Sequence, residues 1–212
     1  MCSSHCIYFR GGHDEVDFST SGNKSYSRTD SYEKDVNTGQ NIFDLSFDDT
    51  ILLFEDISEN NYDSIFGNQT LNWYRQLYRD YGVVISCYVY YEDGEFNLSQ
   101  VPDKYKDEFV KNSNWLRFGF HTLNGETDYK KGKITDDYIK TINQLERIVG
   151  KQSIDNVIRL QMFQGSYKEI KELAQLEDEP VKGLLTADDK RQSYYLNKDN
   201  SKYIYCHDEY YD

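Results

Sequence analysis

The amino-acid sequence predicts an α/β fold built around a parallel β-sheet. Runs of β-branched and aromatic residues alternate along the chain with segments whose apolar residues recur at helical spacing. The strand-like runs contain few charges, which is typical of parallel strands that are covered on both faces. No internal repeat accompanies this alternation, so we expect one α/β domain.

The composition of the chain excludes some classes of binding partner. A chain of 212 residues is long enough for one compact domain, although its hydrophobic fraction of 38% is low. Its net charge of −13 would repel a nucleic acid or an anionic membrane, so neither partner is expected. The 4 cysteines are too dispersed for a disulfide scaffold, which indicates a cytoplasmic location. No apolar run reaches the roughly 18 residues of a membrane span, and no signal-peptide pattern is apparent.

Residues 1–40 are expected to form a flexible leader. They are rich in Ser, Gly, Asn, Asp and Thr, and such a segment buries too little apolar surface to offset the entropy lost on ordering. Within it, Ile7–Phe9 is a candidate for a short edge strand. Cys2, His5 and Cys6 would be able to bind a metal, but no second half-site with zinc-finger spacing follows, so a disordered terminus is the preferred interpretation.

The remaining residues, 41–212, contain the predicted elements of the domain. Strands are expected at 42–47, 83–90, 115–120, 156–163, 183–187 and 203–206, and helices at 70–81, 103–111, 135–149 and 166–176. Gly82 stands where the first of the two longer helices would end in a left-handed cap, and Gly150 stands where the second would stop. Arg159 lies inside the apolar fourth strand, and a charge in that position needs a partner.

Polar side chains follow several predicted strands at the point where each strand ends. These residues are Asp48, Asp49, His121, Asp188, Asp189 and His207. In a parallel sheet the carboxyl ends of the strands share one edge, and that edge carries the active sites of α/β proteins. An alternative is that Asp48 and Asp49 only cap the segment that follows them. Because the pattern recurs at later strands, a functional site is the preferred interpretation.

The order of these motifs resembles that of the polysaccharide deacetylase family over residues 42–208. The segment Ser46-Phe-Asp-Asp49 is similar to the first motif of that family, and His121-Thr122 is similar to the start of the second. Arg159 matches the arginine of the third motif, and Asp188 or Asp189 resembles the aspartate of the fourth. The segment Ile204-Tyr-Cys-His207 resembles the last motif. Two positions depart from the pattern, since a second histidine is replaced by Gly125 and a proline by Gln161.

This resemblance implies a distorted (β/α) barrel of six to seven mostly parallel strands. It also implies a metal-dependent hydrolase that cleaves an N-acetyl amide bond on a carbohydrate. Asp48 would be the catalytic base, and Asp49 and His121 would bind a divalent cation, zinc foremost, with nickel or cobalt as alternatives. Arg159 would position Asp48. His207, oriented by Asp188 or Asp189, would protonate the leaving amine.

The replacement at Gly125 leaves only two obvious metal ligands, whereas catalytic zinc usually has three from the protein. Glu126 or Asn124 would supply the third from the same loop. A different interpretation is a noncatalytic carbohydrate-binding or scaffold protein whose barrel no longer binds metal. The missing histidine favours this alternative, but retention of several buried charges favours the enzyme. A closed barrel would need one more strand, either from Ile7–Phe9 or from a longer chain of which this sequence is a fragment.

Overall fold

A computed structural model describes residues 5–12, 15–20, 44–126, 134–161, 165, 167–178 and 180–186. For 5–12, 15–20, Asp44, Tyr167 and Thr186 it describes the backbone alone. The strands in these ranges are β1 His5–Gly12, β2 Glu15–Thr20, β3 Asp44–Phe47, β4 Val84–Tyr90, β5 Glu92–Asp93, β6 Phe96–Asn97, β7 Leu116–Thr122, β8 Val157–Ile158 and β9 Gly183–Thr186. The α-helices are α1 Ile51–Asn60, α2 Gln69–Tyr81, α3 Lys106–Lys111, α4 Ile134–Val149 and α5 Tyr167–Ala174.

The described strands form small sheets in a mixed α/β arrangement. One sheet has the order β3-β4-β7, and all of its strands are parallel. A second sheet has the order β2-β1-β9-β8, in which only the β8–β9 pair is parallel. In the described ranges, an isolated parallel bridge between Phe118 of β7 and Ile154, just before β8, connects these two sheets, and β5 and β6 form a separate antiparallel pair. The α/β class is therefore confirmed, and no closed barrel is formed by the strands in the described ranges.

The amino-terminal strands add antiparallel pairs to the predicted, mostly parallel arrangement. β1 includes the candidate edge strand Ile7–Phe9 and pairs antiparallel with both β2 and β9. The short connection between β1 and β2 explains why these two strands are antiparallel, because strands so close in the chain can form a hairpin. The predicted leader thus contains two strands, while 21–43 lie outside the described residues. The predicted strand at 203–206 also lies outside them.

The fourth predicted strand is much shorter than its apolar pattern indicates. β8 contains only Val157 and Ile158, whereas the sequence predicts a strand over 156–163. Leu160 is fully buried although it belongs to no strand. The apolar run therefore marks buried positions, and not all of them are paired in a strand. Arg159 follows the last paired residue, and its position at the end of β8 becomes important for the site.

The helices agree better with the sequence. α2 and α4 have the predicted positions, and the Gly82 backbone has φ 67° at the end of α2. α1 was not predicted, although it buries one apolar face through residues Ile51, Leu53, Phe54 and Ile57. No helix in the described ranges is long and apolar enough to cross a membrane.

The core lies on both sides of the central strands β4 and β7. Every residue of β7 is buried, and only the first residue of β4 is partly exposed. The Phe54 and Phe118 rings lie 5.3 Å apart and join α1 to β7. Trp115 stacks on Tyr78 at 4.9 Å, which attaches α2 to the start of β7. These contacts attach α1 and α2 to β7, the strand that carries His121 near its carboxyl end.

Gly82→Ala should lower the free energy of unfolding by about 1 kcal/mol, because an L-residue is disfavoured in the left-handed region. A methyl group at this position would meet no atom within 4 Å, so backbone conformation alone causes the loss. Urea denaturation measures it. Gln69→Ala, at an exposed position of the same helix, is the control and should change stability by less than about 0.5 kcal/mol. Equal losses of stability in Gly82→Ala and Gln69→Ala would contradict a left-handed cap at Gly82.

Candidate functional site

The candidate site lies where three neighbouring strands end. Asp48 and Asp49 follow β3, Tyr90 is the last residue of β4, and His121 is the penultimate residue of β7. Arg159 follows β8 directly. We refer to these residues, with Ser46 of β3, as the strand-end site. The parallel direction of the strands brings together residues that are far apart in the sequence.

Arg159 binds Asp48 across this edge, although the two residues are 111 positions apart. Its Nη1 lies 3.1 Å from both carboxylate oxygens of Asp48, and its Nη2 donates to Oγ of Ser46 at 2.8 Å. The Arg159 side chain is 12% exposed and that of Asp48 is 37% exposed. The charge predicted to need a partner thus has one, and Asp48 still faces solvent.

The backbone of Arg159 orients a second site residue. Nδ1 of His121 is hydrogen-bonded to the carbonyl oxygen of Arg159. Because a carbonyl only accepts, Nδ1 must carry the hydrogen, which leaves Nε2 as the atom that faces the site. Nε2 lies 3.5 Å from Oδ1 of Asp49, and the His121 side chain is only 2% exposed.

Nε2 of His121 is buried and has no hydrogen-bond partner among the described residues. In the neutral ring it carries a lone pair, so two electron-pair donors, Nε2 and the Asp49 carboxylate, face each other. Such an arrangement is favourable when a proton or a metal cation lies between the two groups. Imidazole nitrogen and carboxylate oxygen are both ligands that zinc accepts.

The register between β4 and β7 changes at His121. Val89 pairs with Phe120 and Tyr90 pairs with Thr122, so His121 is the extra residue on β7. An irregularity of this kind redirects a side chain and is frequent beside functional sites. The periodicity of a strand-like sequence does not reveal it.

Asp49 has a left-handed backbone conformation with φ 56°. A non-glycine residue in this region stores strain of about 1–3 kcal/mol in unfavourable cases, although Asp tolerates it better than most. The next residue anchors the turn, because both the backbone N–H and Oγ1 of Thr50 donate to the carbonyl of Tyr88, at 3.1 and 2.9 Å. The turn that presents Asp48 and Asp49 is therefore attached to β4.

Tyr90 belongs to the site, and sequence reasoning missed it. Its ring stacks on His121 with centroids 5.1 Å apart and an interplanar angle of 24°. Burial raises the pKa of the Tyr90 hydroxyl, and a hydrogen bond to Asp49 raises it further. The position of Tyr90 at the end of β4 was the feature of the sequence that could have indicated a site residue. However, an aromatic residue within an aromatic run is more often part of the core.

The loop after β7 contains the two residues proposed to complete a metal site. Asn124 donates from Nδ2 to Glu92 at 3.0 Å and accepts the backbone N–H of Glu126 at 3.1 Å. Glu126 is exposed. Among the described residues, no three His, Cys, Asp or Glu side chains are grouped closely enough to bind a metal ion. A third ligand from Glu126 stays a prediction.

Other predicted site residues lie outside the described residues. These are Asp188, Asp189 and His207. For the amino-terminal metal hypothesis, Cys2 is also outside, and only the backbone of His5 and Cys6 is described. The roles assigned to these residues therefore stay predictions.

Comparison of the chain with family models, curated proteins and solved structures found no match. The resemblance to the deacetylase family thus depends on the sequence motifs alone.

Thr50→Val should lower the free energy of unfolding by about 1 kcal/mol, because it removes one buried hydrogen bond while nearly preserving shape. In this variant the carbonyl of Tyr88 still accepts a hydrogen bond from the backbone N–H at position 50, which limits the loss of stability. Urea denaturation tests this value against Thr70→Val at an exposed position of α2, which should change stability less. A Thr50→Val protein as stable as the parent would show that the side chain does not anchor the turn.

Proposed function

We propose that the chain is a metal-dependent hydrolase of the polysaccharide deacetylase type, which cleaves the N-acetyl amide bond of a carbohydrate. One observation carries the proposal: Asp48 with Arg159, and Asp49 with His121, form two adjoining pairs at the carboxyl ends of β3, β7 and β8. These four residues come from three separate sequence motifs. The parallel order β3-β4-β7 supports the further proposal of a distorted β/α barrel.

The donor set fits a divalent cation as far as it is described. Nε2 of His121 is buried, lacks a hydrogen-bond partner among the described residues and faces the Asp49 carboxylate. Asp49 and His121 would therefore bind the ion, with zinc first and cobalt or nickel next. When bound, such a cation polarises an amide carbonyl and lowers the pKa of a coordinated water.

Asp48 is placed to act as the general base. Its carboxylate is partly exposed, so a water molecule can reach it, while Arg159 and Ser46 fix its position. The ionised carboxylate is the form that accepts a proton. Asp48 would take one proton from the attacking water while the oxygen of that water bonds to the acetyl carbon.

Cleavage of the C–N bond then requires a proton for the departing amine. His207 would donate it, with Asp188 orienting the imidazole, as the sequence motifs imply. The products would be acetate and a sugar with a free amine. This step depends on residues outside the described ranges and comes from the resemblance alone.

An exposed aromatic side chain supports a carbohydrate as the substrate. Trp73 of α2 is 47% exposed, and its ring lies 6.1 Å from that of Phe47, the residue before Asp48. Flat aromatic rings provide apolar contact area for a sugar face while leaving its hydroxyl groups in water. The charge of −13 favours a neutral sugar over an anionic one.

A noncatalytic carbohydrate-binding or scaffold protein is the second candidate. It is favoured by Gly125 at the position of a ligand histidine and by the lack, among the described residues, of a three-member cluster of metal-binding side chains. In that case Arg159 and Asp48 would only stabilise the fold. Activity and metal binding separate the two candidates.

Acetate release from an oligomer of N-acetylglucosamine, measured in the presence of zinc, cobalt or nickel, tests the enzyme. Asp48→Asn should reduce the rate by at least about 100-fold, because general-base catalysis typically contributes 10²–10⁴-fold. Asp63→Asn, an exposed aspartate away from the strand ends, is the matched control and should retain full activity. If the unmodified chain releases no acetate with any of these metals, the noncatalytic candidate replaces the enzyme.

His121→Ala should abolish zinc binding measured by calorimetry, because it removes one of two strong ligands. Asp48→Asn should bind zinc as the unmodified chain does, since Asp48 pairs with Arg159 rather than with the cation. Equal zinc affinity in His121→Ala would show that the ligand assignment is mistaken.

A further inference from the structure

The exposed aromatic ring of Trp73 lies beside the strand that leads into the strand-end site. Trp73 belongs to the first half of α2 and is 47% exposed. Its ring meets that of Phe47 edge-on, with centroids 6.1 Å apart and an interplanar angle of 72°. Phe47 is the last residue of β3 and directly precedes Asp48. One aromatic contact therefore joins this exposed ring to the strand that presents the proposed base.

A second contact fixes the orientation of the Trp73 ring. The ring lies 5.5 Å from that of Tyr74, at an interplanar angle of 45°. Tyr74 in turn stacks on Phe47 at 4.7 Å and is only 3% exposed, which anchors the cluster in the core. A ring whose orientation is set before a ligand arrives costs less entropy to order on binding.

The Trp73 ring and the Asp48 carboxylate lie on opposite sides of β3. Ser46 and Asp48 both contact Arg159, whereas Phe47 between them contacts α2. Side chains alternate in this way along a strand. A sugar unit that reacts at Asp48 is therefore on the other side of β3 from the Trp73 ring, and a different unit has to cover that ring.

Trp73 nevertheless lies at the same end of the sheet as the site. α2 is followed in the chain by β4, so the last turn of α2 lies near the amino ends of the strands. Its first turns lie near the carboxyl ends, as the contact between Trp73 and Phe47 shows. The side chains of Asp48 and Asp49 are 37% and 60% exposed. A chain of sugar units can thus pass from these carboxylates across the end of β3 to Trp73.

We propose that Trp73, supported by Phe47 and Tyr74, binds a sugar unit next to the one that occupies the strand-end site. The protein then prefers a chain of sugars to a single unit. This inference depends on the carbohydrate ligand of the proposed function, and it holds for the enzyme and for the noncatalytic candidate alike. An indole face supplies apolar contact to a sugar ring while the hydroxyl groups stay in water. Trp73 contributes affinity and no chemistry, because it does not reach the reacting amide.

Tryptophan fluorescence tests the proposal on the unmodified chain. The sequence contains 2 tryptophans, and Trp115 is only 2% exposed, so quenching by acrylamide reports mainly on Trp73. An oligomer of N-acetylglucosamine should protect this ring from acrylamide, whereas the single sugar should protect it much less. No protection by the oligomer would overturn the proposal. A ring that acrylamide does not quench in the free chain would also overturn it, because another part of the chain or a second copy would then cover the ring.

Trp73→Ala should weaken binding of the oligomer about 10-fold in calorimetry, because it removes the apolar face. Trp73→Phe, which keeps an aromatic ring, should retain most of the affinity. Tyr81→Ala is the matched control, since Tyr81 is a 69% exposed aromatic residue of the same helix. It lies about 12 Å further along the helix axis, away from the site, and its loss should not change the affinity. Equal losses of affinity in Trp73→Ala and Tyr81→Ala would contradict the assignment, and the quenching measurement decides it even if Trp73→Ala does not fold.

The remaining outcomes separate this inference from the proposed function. In acetate release from the oligomer, Trp73→Ala should raise KM about 10-fold with kcat nearly unchanged, since the lost contact is made equally in the ground and transition states. If the oligomer protects Trp73 but no acetate is released with zinc, cobalt or nickel, the sugar-binding role stands and the deacetylase activity fails. If acetate is released with the same KM in Trp73→Ala, this role fails while the enzyme stands. If the oligomer neither binds nor reacts, both fail.

Discussion

The geometry of the site depends on one residue, Arg159, which uses both its side chain and its backbone. The guanidinium fixes Asp48 and Ser46 at the end of β3, and the carbonyl fixes the hydrogen of His121 on Nδ1. A single position thus links the ends of β3, β7 and β8. Since the charge is largely buried, it is retained only where its partners offset the cost of removing it from water. Displacement of Arg159 would disturb both adjoining pairs at once.

Local irregularities accompany this link. β8 ends directly before Arg159, β7 contains an extra residue at His121, and Asp49 has a left-handed backbone. Each departs from regular strand or turn geometry, and all lie at the carboxyl ends of β3, β7 and β8. The packed strands β4 and β7 hold these conformations, as expected where strain is concentrated at a functional site. The regularly packed strands β4 and β7 therefore support the irregular backbone at the site.

Sequence patterns predicted what depends on local periodicity and on strand ends. The helices α2 and α4 followed from their apolar spacing, and the need of Arg159 for a partner followed from its isolated charge, whereas Asp48 as that partner was implied by the resemblance. The antiparallel pairing of β1 with β9 was not predictable, because it joins residues distant in sequence. Tyr90 was missed since its aromatic neighbours made it resemble core, and its stack on His121 is visible only in the structure. The redirection of His121 requires the register of two strands, which a single strand pattern does not contain.

The central claim is that Asp49 and His121 face each other because a cation belongs between them. Anomalous diffraction at the zinc absorption edge, from crystals of the full chain grown with zinc, tests it most directly. We expect an anomalous peak about 2 Å from both a carboxylate oxygen of Asp49 and Nε2 of His121. A well-ordered site with no peak between these atoms, or with zinc bound only elsewhere, would contradict it.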